Sequence, residues 1–425
     1  MKYYSTKQGV SLTSFRQAVI KGLPDDNGLF MPTHIPKLNA NFLENLHDQT
    51  LSSIGLTVAL PFVGSDISQE KLQDIIKETL NFPLPAVHVH NHIFSLELFH
   101  GPTCAFKDVG ARFLARCLSH FSDEKFTVLV ATSGDTGSAV ANGFLGVPNV
   151  DVVILYPKGK VSHLQEQQLT TLGQNITALE VEGTFDDCQR MVKSAFLDKQ
   201  LNQKMKLTSA NSINIARLIP QSFYYFWAMA QLHDHDNITF SVPSGNYGNL
   251  TAGLLAKAMG LPISGFVASS NINDVVPKYL REGHFDPRPS RQTISNAMDV
   301  GNPSNFGRMT EIYGQSWYEI TKDISGYSFT DAETKDIMKK VHQDFGYVLD
   351  PHGAVGYLGL RKQLEKSGGT GVFLETAHPA KFIDTVNDVI GTIEIPERLS
   401  AYLENEKKSH LIKNKFNELR SYLMN

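Results

Sequence analysis

Residues 125–146 read "KFTVLVATSGDTGSAVANGFLG", and this stretch decides the fold. Phe126–Ala131 is apolar or β-branched throughout, with no polar alternation. A strand buried on both faces reads that way, and such strands belong to parallel sheets covered by helices. Two glycines three residues apart, Gly134 and Gly137, then turn the chain into a helical pattern ending near Gly146.

The same rhythm continues outward. "VDVVILYP" from Val150 and "NITALEV" from Asn175 read as strands, with the helix "VSHLQEQQLTTLG" between them. "NITFSVP", "ISGFVASS" and "GVFLETA" repeat the strand signature between residues 237 and 377. Strand, crossover and strand predict an α/β fold with mostly parallel sheet. "FYYFWAMA" from Phe223 is too short to span a bilayer and is expected to be a core helix. Upstream, "SQEKLQDIIKETLNF" from Ser68 has helical spacing, but Lys71 stands where a capping box wants Glu or Gln. The charged stretch from about Ser400 is expected to form a surface helix pair.

The composition is that of an ordinary globular chain: 425 residues, 41% hydrophobic and 19% charged. A net charge of −4 gives no electrostatic reason to expect a nucleic acid or an anionic membrane as partner. Cys104, Cys117 and Cys188 are too few and too scattered for a disulfide framework or a zinc ribbon. No apolar run of signal-peptide length opens the chain, so a cytoplasmic location is expected.

A second loop matches the first. "PSGNYGNLTAG", residues 243–253, joins a strand to a helix through Gly245 and Gly248. Such turns expose consecutive N–H groups at the positive end of a helix, where anions bind. A glycine turn needed only for shape is the alternative for either loop alone. Neither loop runs into Gly-Lys-Ser/Thr, and no Gly-x-Gly-x-x-Gly occurs, so the expected ligand is a phosphate on some other body. "SANSINIARLIPQ" from Ser209 gathers Asn211, Ser212, Asn214 and Arg217. Its plainest reading is a helix cap at Asn211 or Ser212; an anion site with Arg217 as forked donor is the rival. "HDHD", residues 233–236, lacks a third ligand at helical spacing and is expected to be a turn, with no metal. "LETAHPAKF" sets Thr376, His378 and Lys381 just after a strand, at the end where α/β sheets bind ligands; a plain turn is the alternative.

Lys107, in "HGPTCAFKDVG", opens a helix whose apolar stripe is Val109, Phe113, Leu114, Cys117, Leu118 and Phe121. A cation sits badly at a helix N-terminus among apolar groups, so the neutral amine is favoured. Such an amine can form a Schiff base with an aldehyde; an ordinary exposed lysine at a helix start is the alternative for this residue alone.

Taken together, "HGPTCAFKDVG", "TSGDTGSA", "SANSINIAR", "PSGNYGN" and "ETAHPAKF" resemble the threonine synthase family. These are pyridoxal-phosphate enzymes of the tryptophan-synthase-β fold type (fold type II), with two open, mostly parallel sheets flanked by helices. "YYSTKQG", "GLPDDNGLFMP" and "SNAMDVGNPSNFGR" resemble signatures of its longer, N-terminally extended members. The resemblance covers nearly the whole chain. It implies an N-terminal segment, residues 1–82, and a two-lobed catalytic core, residues 83–425. It also implies conversion of O-phospho-L-homoserine and water to L-threonine and phosphate.

Site roles follow residue by residue. Lys107 matches the lysine that binds the cofactor covalently. Gly245, Asn246, Tyr247, Gly248 and Asn249 match the cup for the cofactor phosphate, and Thr376 the hydroxyl that meets the pyridine nitrogen. Asn211, Ser212 and Arg217 match holders of the substrate phosphate, and Thr132, Ser133 and Thr136 residues around the substrate and ring. Asp135 falls beside the ring's phenolic oxygen, where many relatives have Asn. Val109 stands where they often have Arg. Another enzyme of the same fold type, such as a serine or threonine dehydratase or a phospho-amino-acid lyase, is the nearest alternative, followed by a non-catalytic binder of phospho-ligands.

Overall fold

In the computed structural model, which describes residues 1–121 and 124–424, the run at 126–131 forms the strand Phe126–Ala131 inside a five-stranded sheet. From edge to edge that sheet runs His410–Lys413, Ile176–Glu182, Val150–Pro157, Phe126–Ala131 and Lys206–Ser209, all parallel. A six-stranded sheet runs Ile324–Ser328, Gly265–Ser270, Ile238–Pro243, Thr370–Glu375, Ile93–Glu97 and Ala86–His90. Only its last pair is antiparallel. Central strands in both sheets are buried along their length, as continuous apolar runs require.

The helix Lys107–Phe121 links the two sheets, running from the end of Ile93–Glu97 to the start of Phe126–Ala131. Its predicted stripe is buried, and Phe113 meets Phe223 edge-on at 6.4 Å. Phe223 begins the core helix Phe223–Gln231. The N-terminal segment pairs Tyr3–Ser5 with Phe30–Pro32 and packs the helices Leu51–Val63 and Gln69–Thr79 onto this same core. Ser68 caps the second of these through the Lys71 N–H at 3.3 Å, without the reciprocal bond that Lys71 cannot make.

The C-terminal stretch departs from the expected helix pair. Between the helices Glu397–Leu403 and Phe416–Met424 it forms the edge strand His410–Lys413, parallel to Ile176–Glu182. Only Ile412 of that strand is buried, so its period-2 signal is a single residue, hidden among flanking charges. The three cysteines are free and buried.

Candidate active site

Four strands of the two sheets end at one place. Residues following Glu97, Ala131, Pro243 and Glu375 surround a cleft of about 520 Å³ and a recess beneath it, both of which Lys107 lines. Carboxyl ends of parallel strands are where open α/β sheets hold ligands.

Backbone bonds pin Lys107 in place. Phe106 N–H donates to Thr376 O at 2.8 Å, Ala105 bridges Ala377, and the Tyr224 hydroxyl donates to Phe106 O at 2.5 Å. Asp108 accepts from the Thr103 N–H and hydroxyl at 2.9 and 2.6 Å, tying down the turn before the helix. The Lys107 side chain keeps a face to the cleft, but protein surrounds it on the other sides. Burial pushes its pKa down to about 8; the Asp135 charge pulls upward, and Arg217 and Lys381 push further down.

The 243–249 loop is built for close approach. A Cβ on Gly245 would lie 2.7 Å from Ala297 O and 2.8 Å from the Met298 Cα. Tyr247 takes the left-handed conformation, φ 61°, with its hydroxyl 2.6 Å from Ser270 Oγ. No side chain caps the eleven-residue helix Gly248–Ala258 that follows. Asn249 accepts from the Tyr225 hydroxyl at Oδ1, 2.8 Å, leaving a buried Nδ2 without a partner among the described residues. Asn246 binds Ser304 through its Oδ1 and lines both cleft and recess. An orphaned amide and an uncapped helix end, both pure donors, fit an anion of phosphate size.

The 132–137 loop is less uniform than its match implied. Ser133 and Thr136 line the cleft. Thr132, expected near the substrate, is turned inward, and its Oγ1 accepts from the Gly134 and Gly137 N–H groups at 3.0 and 2.8 Å. Its hydroxyl organises the loop and does not line the cleft. Asp135 is buried, and its Oδ1 takes Lys381 Nζ at 2.7 Å and Gln165 Nε2 at 3.0 Å. Lys381 and Lys107 hold its carboxyl well below the usual range against the pull of burial.

In the 209–217 loop the helix cap falls neither on Asn211 nor on Ser212. Asn214 caps the short helix Ile215–Leu218 through the Ala216 N–H at 3.1 Å. That leaves Asn211 and Ser212 on the cleft wall, with Asn211 Nδ2 bound to Ala131 O at 2.9 Å. Arg217 reaches the recess; its Nη1 donates to Ala210 O at 2.5 Å, and its buried Nε has no partner among the described residues. Burial lowers its pKa to about 10, so it stays charged at neutral pH.

The structure adds one lining residue, His352, whose role had no local signal. His352 lines the recess, with Nδ1 2.6 Å from Asp350 Oδ1 and Nε2 accepting from Ala297 N–H at 3.3 Å. "DPHG" reads locally as a capped helix start, which it also is. Lys381 was visible in "ETAHPAKF", but its partner Asp135 lies far off in sequence. His378 is the turn residue, accepting from the Ala380 N–H at 3.1 Å, and burial pushes its pKa down to about 4.

Comparison with known proteins agrees with this geometry. Residues 73–375 match the family model described as pyridoxal-phosphate dependent enzyme. Residues 2–80 match the threonine synthase N terminus, and residues 353–423 its C-terminal model. The chain is 46% identical to the threonine synthase of Haemophilus influenzae over the full length of both. It superposes on the crystal structure of Escherichia coli threonine synthase with a TM-score of 0.95 at 43% identity, covering 100% of this chain and 99% of that one. The pyridoxal-phosphate-bound threonine synthase of Brucella melitensis follows at 0.92 and 35% identity, covering 100% and 98%.

Proposed function

This chain belongs to the threonine synthase family of pyridoxal-phosphate-dependent enzymes, and from that premise we propose how its residues divide the work. It is a carbon–oxygen lyase of fold type II that turns O-phospho-L-homoserine and water into L-threonine and phosphate. Its cofactor is pyridoxal 5'-phosphate, which when bound supplies the electron sink that stabilises a carbanion beside the substrate nitrogen.

Lys107 would hold that cofactor covalently. Its amine, once the substrate's amine has displaced it from the cofactor, would take the proton from the substrate's Cα and return protons to the carbon chain. Gly245, Asn246, Tyr247, Gly248 and Asn249 would cup the cofactor phosphate. Thr376 would meet the pyridine nitrogen with a hydroxyl, a weaker partner for a ring proton than a carboxylate. Ser133 and Thr136 would orient the substrate. Asp135, already neutralised by Lys381, would border the phenolic oxygen. Asn211, Ser212 and Arg217 would receive the phosphate leaving Cγ, stabilising charge as it develops.

One observation carries this reading: the uncapped Gly248 helix end and the orphaned Asn249 amide share a recess with Ser212, the unpartnered Arg217 Nε and Lys107. A Cβ on Gly248 would lie 3.6 Å from Ser212 Cβ. A dehydratase substrate carries no phosphate and has no use for a second set of anion donors. Arg217→Ala tests it. The expected result is a KM for phosphohomoserine raised about ten- to hundredfold, the worth of a charge-assisted hydrogen bond, with cofactor affinity kept. An unchanged KM would return Arg217 to a structural role.

The division at residues 82 and 83 and a cytoplasmic location belong to the same proposal. The first is supported by the six- and five-stranded sheets, whose earliest strand begins at Ala86, and the second by three free, buried cysteines. Among the described residues no helix is long and apolar enough to cross a membrane.

A further inference from the structure

Arg308 holds none of the roles above, yet it is the largest of the side chains with no solvent exposure. All five of its hydrogen bonds go to uncharged oxygens. Nε and Nη2 donate to Phe30 O at 3.2 and 3.0 Å, and Nη2 also to Ile213 O at 2.7 Å. Nη1 donates to Ser212 O at 3.2 Å and to Asn305 Oδ1 at 2.9 Å. Burying a charge without an anion costs several kcal/mol of desolvation, about the scale that buried ion pairs struggle to recover. Hydrophobic packing of equal volume would be cheaper, so stability alone is a poor reason for this residue.

The chemistry of the donors gives a better one. A guanidinium can only donate. Asn305 must therefore show it Oδ1, which fixes the amide and leaves Nδ2 on the opposite side, 3.4 Å from Ser212 Oγ. The amide donates there, so the Ser212 oxygen is an acceptor and its own proton is free for another acceptor. Ser212 lines the cleft. We propose that Arg308 is a positioning residue: through Asn305 it sets Ser212 to donate its hydroxyl proton to the substrate phosphate, while its bonds to Ser212 O and Ile213 O hold the loop backbone. The inference rests on the reading that Asn211, Ser212 and Arg217 hold that phosphate.

Asn305→Asp tests it. Aspartate keeps the shape and gives Arg308 a counter-ion, but it has no N–H to offer Ser212. The serine must then donate to the introduced carboxylate instead of to the ligand. Three quantities are measured on the cofactor-loaded protein: calorimetric affinity for a non-eliminable phosphonate analogue of the substrate, KM with kcat, and urea stability. The expected result is stability equal to or above the parent, phosphonate affinity about ten- to hundredfold weaker, KM raised in step and cofactor affinity unchanged. Ser212→Ala should then cost much less affinity in the Asn305→Asp background than in the parent. Arg308→Lys, which loses the planar fork, should weaken the phosphonate in the same direction.

Asn305→Asp binding the phosphonate as tightly as the parent would overturn the proposal. So would Ser212→Ala costing the same in both backgrounds, since the loss would then be charge repulsion alone. If Ser212→Ala and Arg217→Ala both left phosphonate affinity unchanged in the parent, the phosphate-site reading would fall, and this proposal with it.

Discussion

An amine with a pKa of about 8 is neutral in about one molecule in ten at pH 7, against fewer than one in a thousand for an ordinary lysine. That difference is what lets Lys107 act as nucleophile and base. Cofactor-free protein should capture pyridoxal phosphate covalently at a rate that rises with pH up to about 8 and then levels. The sign of the Asp135 effect is fixed by its charge: the carboxylate raises the Lys107 pKa, so Asp135→Asn should move the plateau to lower pH. Stopped-flow uptake across pH checks both, and a rate still climbing at pH 10 would contradict them. Lys107→Ala should leave no borohydride-trappable adduct and cost about two to four orders of magnitude in turnover. Part of this was legible in sequence. A lysine opening an amphipathic helix beside Ala105-Phe106 makes Lys107 a candidate for a neutral amine, and the ordered motifs elsewhere in the chain strengthen it. Asp135 and Lys381, 246 positions apart, gave no hint that they neutralise each other. Pairings of that kind are properties of the fold.

At the scale of elements, the two glycine loops look alike in sequence and differ in use. In 243–249 Gly245 clears space against the 297–298 backbone, and the Gly248 helix end is left uncapped by any side chain. In 132–137 the Thr132 hydroxyl closes the turn, and Gly134, at φ 133°, makes room for Gln165. Strand-loop-helix spacing reveals that a loop exists; which donors it leaves free depends on what packs against it. Gly245→Ala forces a Cβ against Ala297 O and must displace the loop. Its cofactor dissociation constant should rise about tenfold or more, the scale of one or two lost hydrogen bonds to a charged group. Equilibrium dialysis against pyridoxal phosphate gives the answer, and parent-like affinity would mean that the close approach does not shape the cup. The edge strand at 410–413 and the Asn214 cap escaped for a related reason. Each is one or two residues of signal, resolved only by the neighbouring element.

Across the whole molecule, the Asp135–Lys381 pair ties the helix after Phe126–Ala131 of the five-stranded sheet to the turn after Thr370–Glu375 of the six-stranded one. Lys381 also donates to Thr103 O at 3.0 Å, on the approach to Lys107. Removing one partner leaves a buried charge bare. Lys381→Met should therefore cost about 3–5 kcal/mol in urea unfolding, and adding Asp135→Asn should restore much of it. Equal stability in the single and double variants would show that the pair is not coupled. The parallel α/β architecture was legible from the apolar strand runs and their spacing, because burial on both faces leaves a strong mark. The arrangement of the cleft, with four strand ends converging and His352 and Arg308 behind it, comes from topology that no single segment carries.

This cleft removes phosphate from a phosphorylated amino acid and returns a hydroxyl one carbon nearer the amine. The direct test is to incubate the cofactor-loaded protein with O-phospho-L-homoserine and follow L-threonine and inorganic phosphate together. The two should appear at equal rates and in equal amounts. Phosphate released with 2-oxobutyrate in place of threonine, or no phosphate at all, would contradict it.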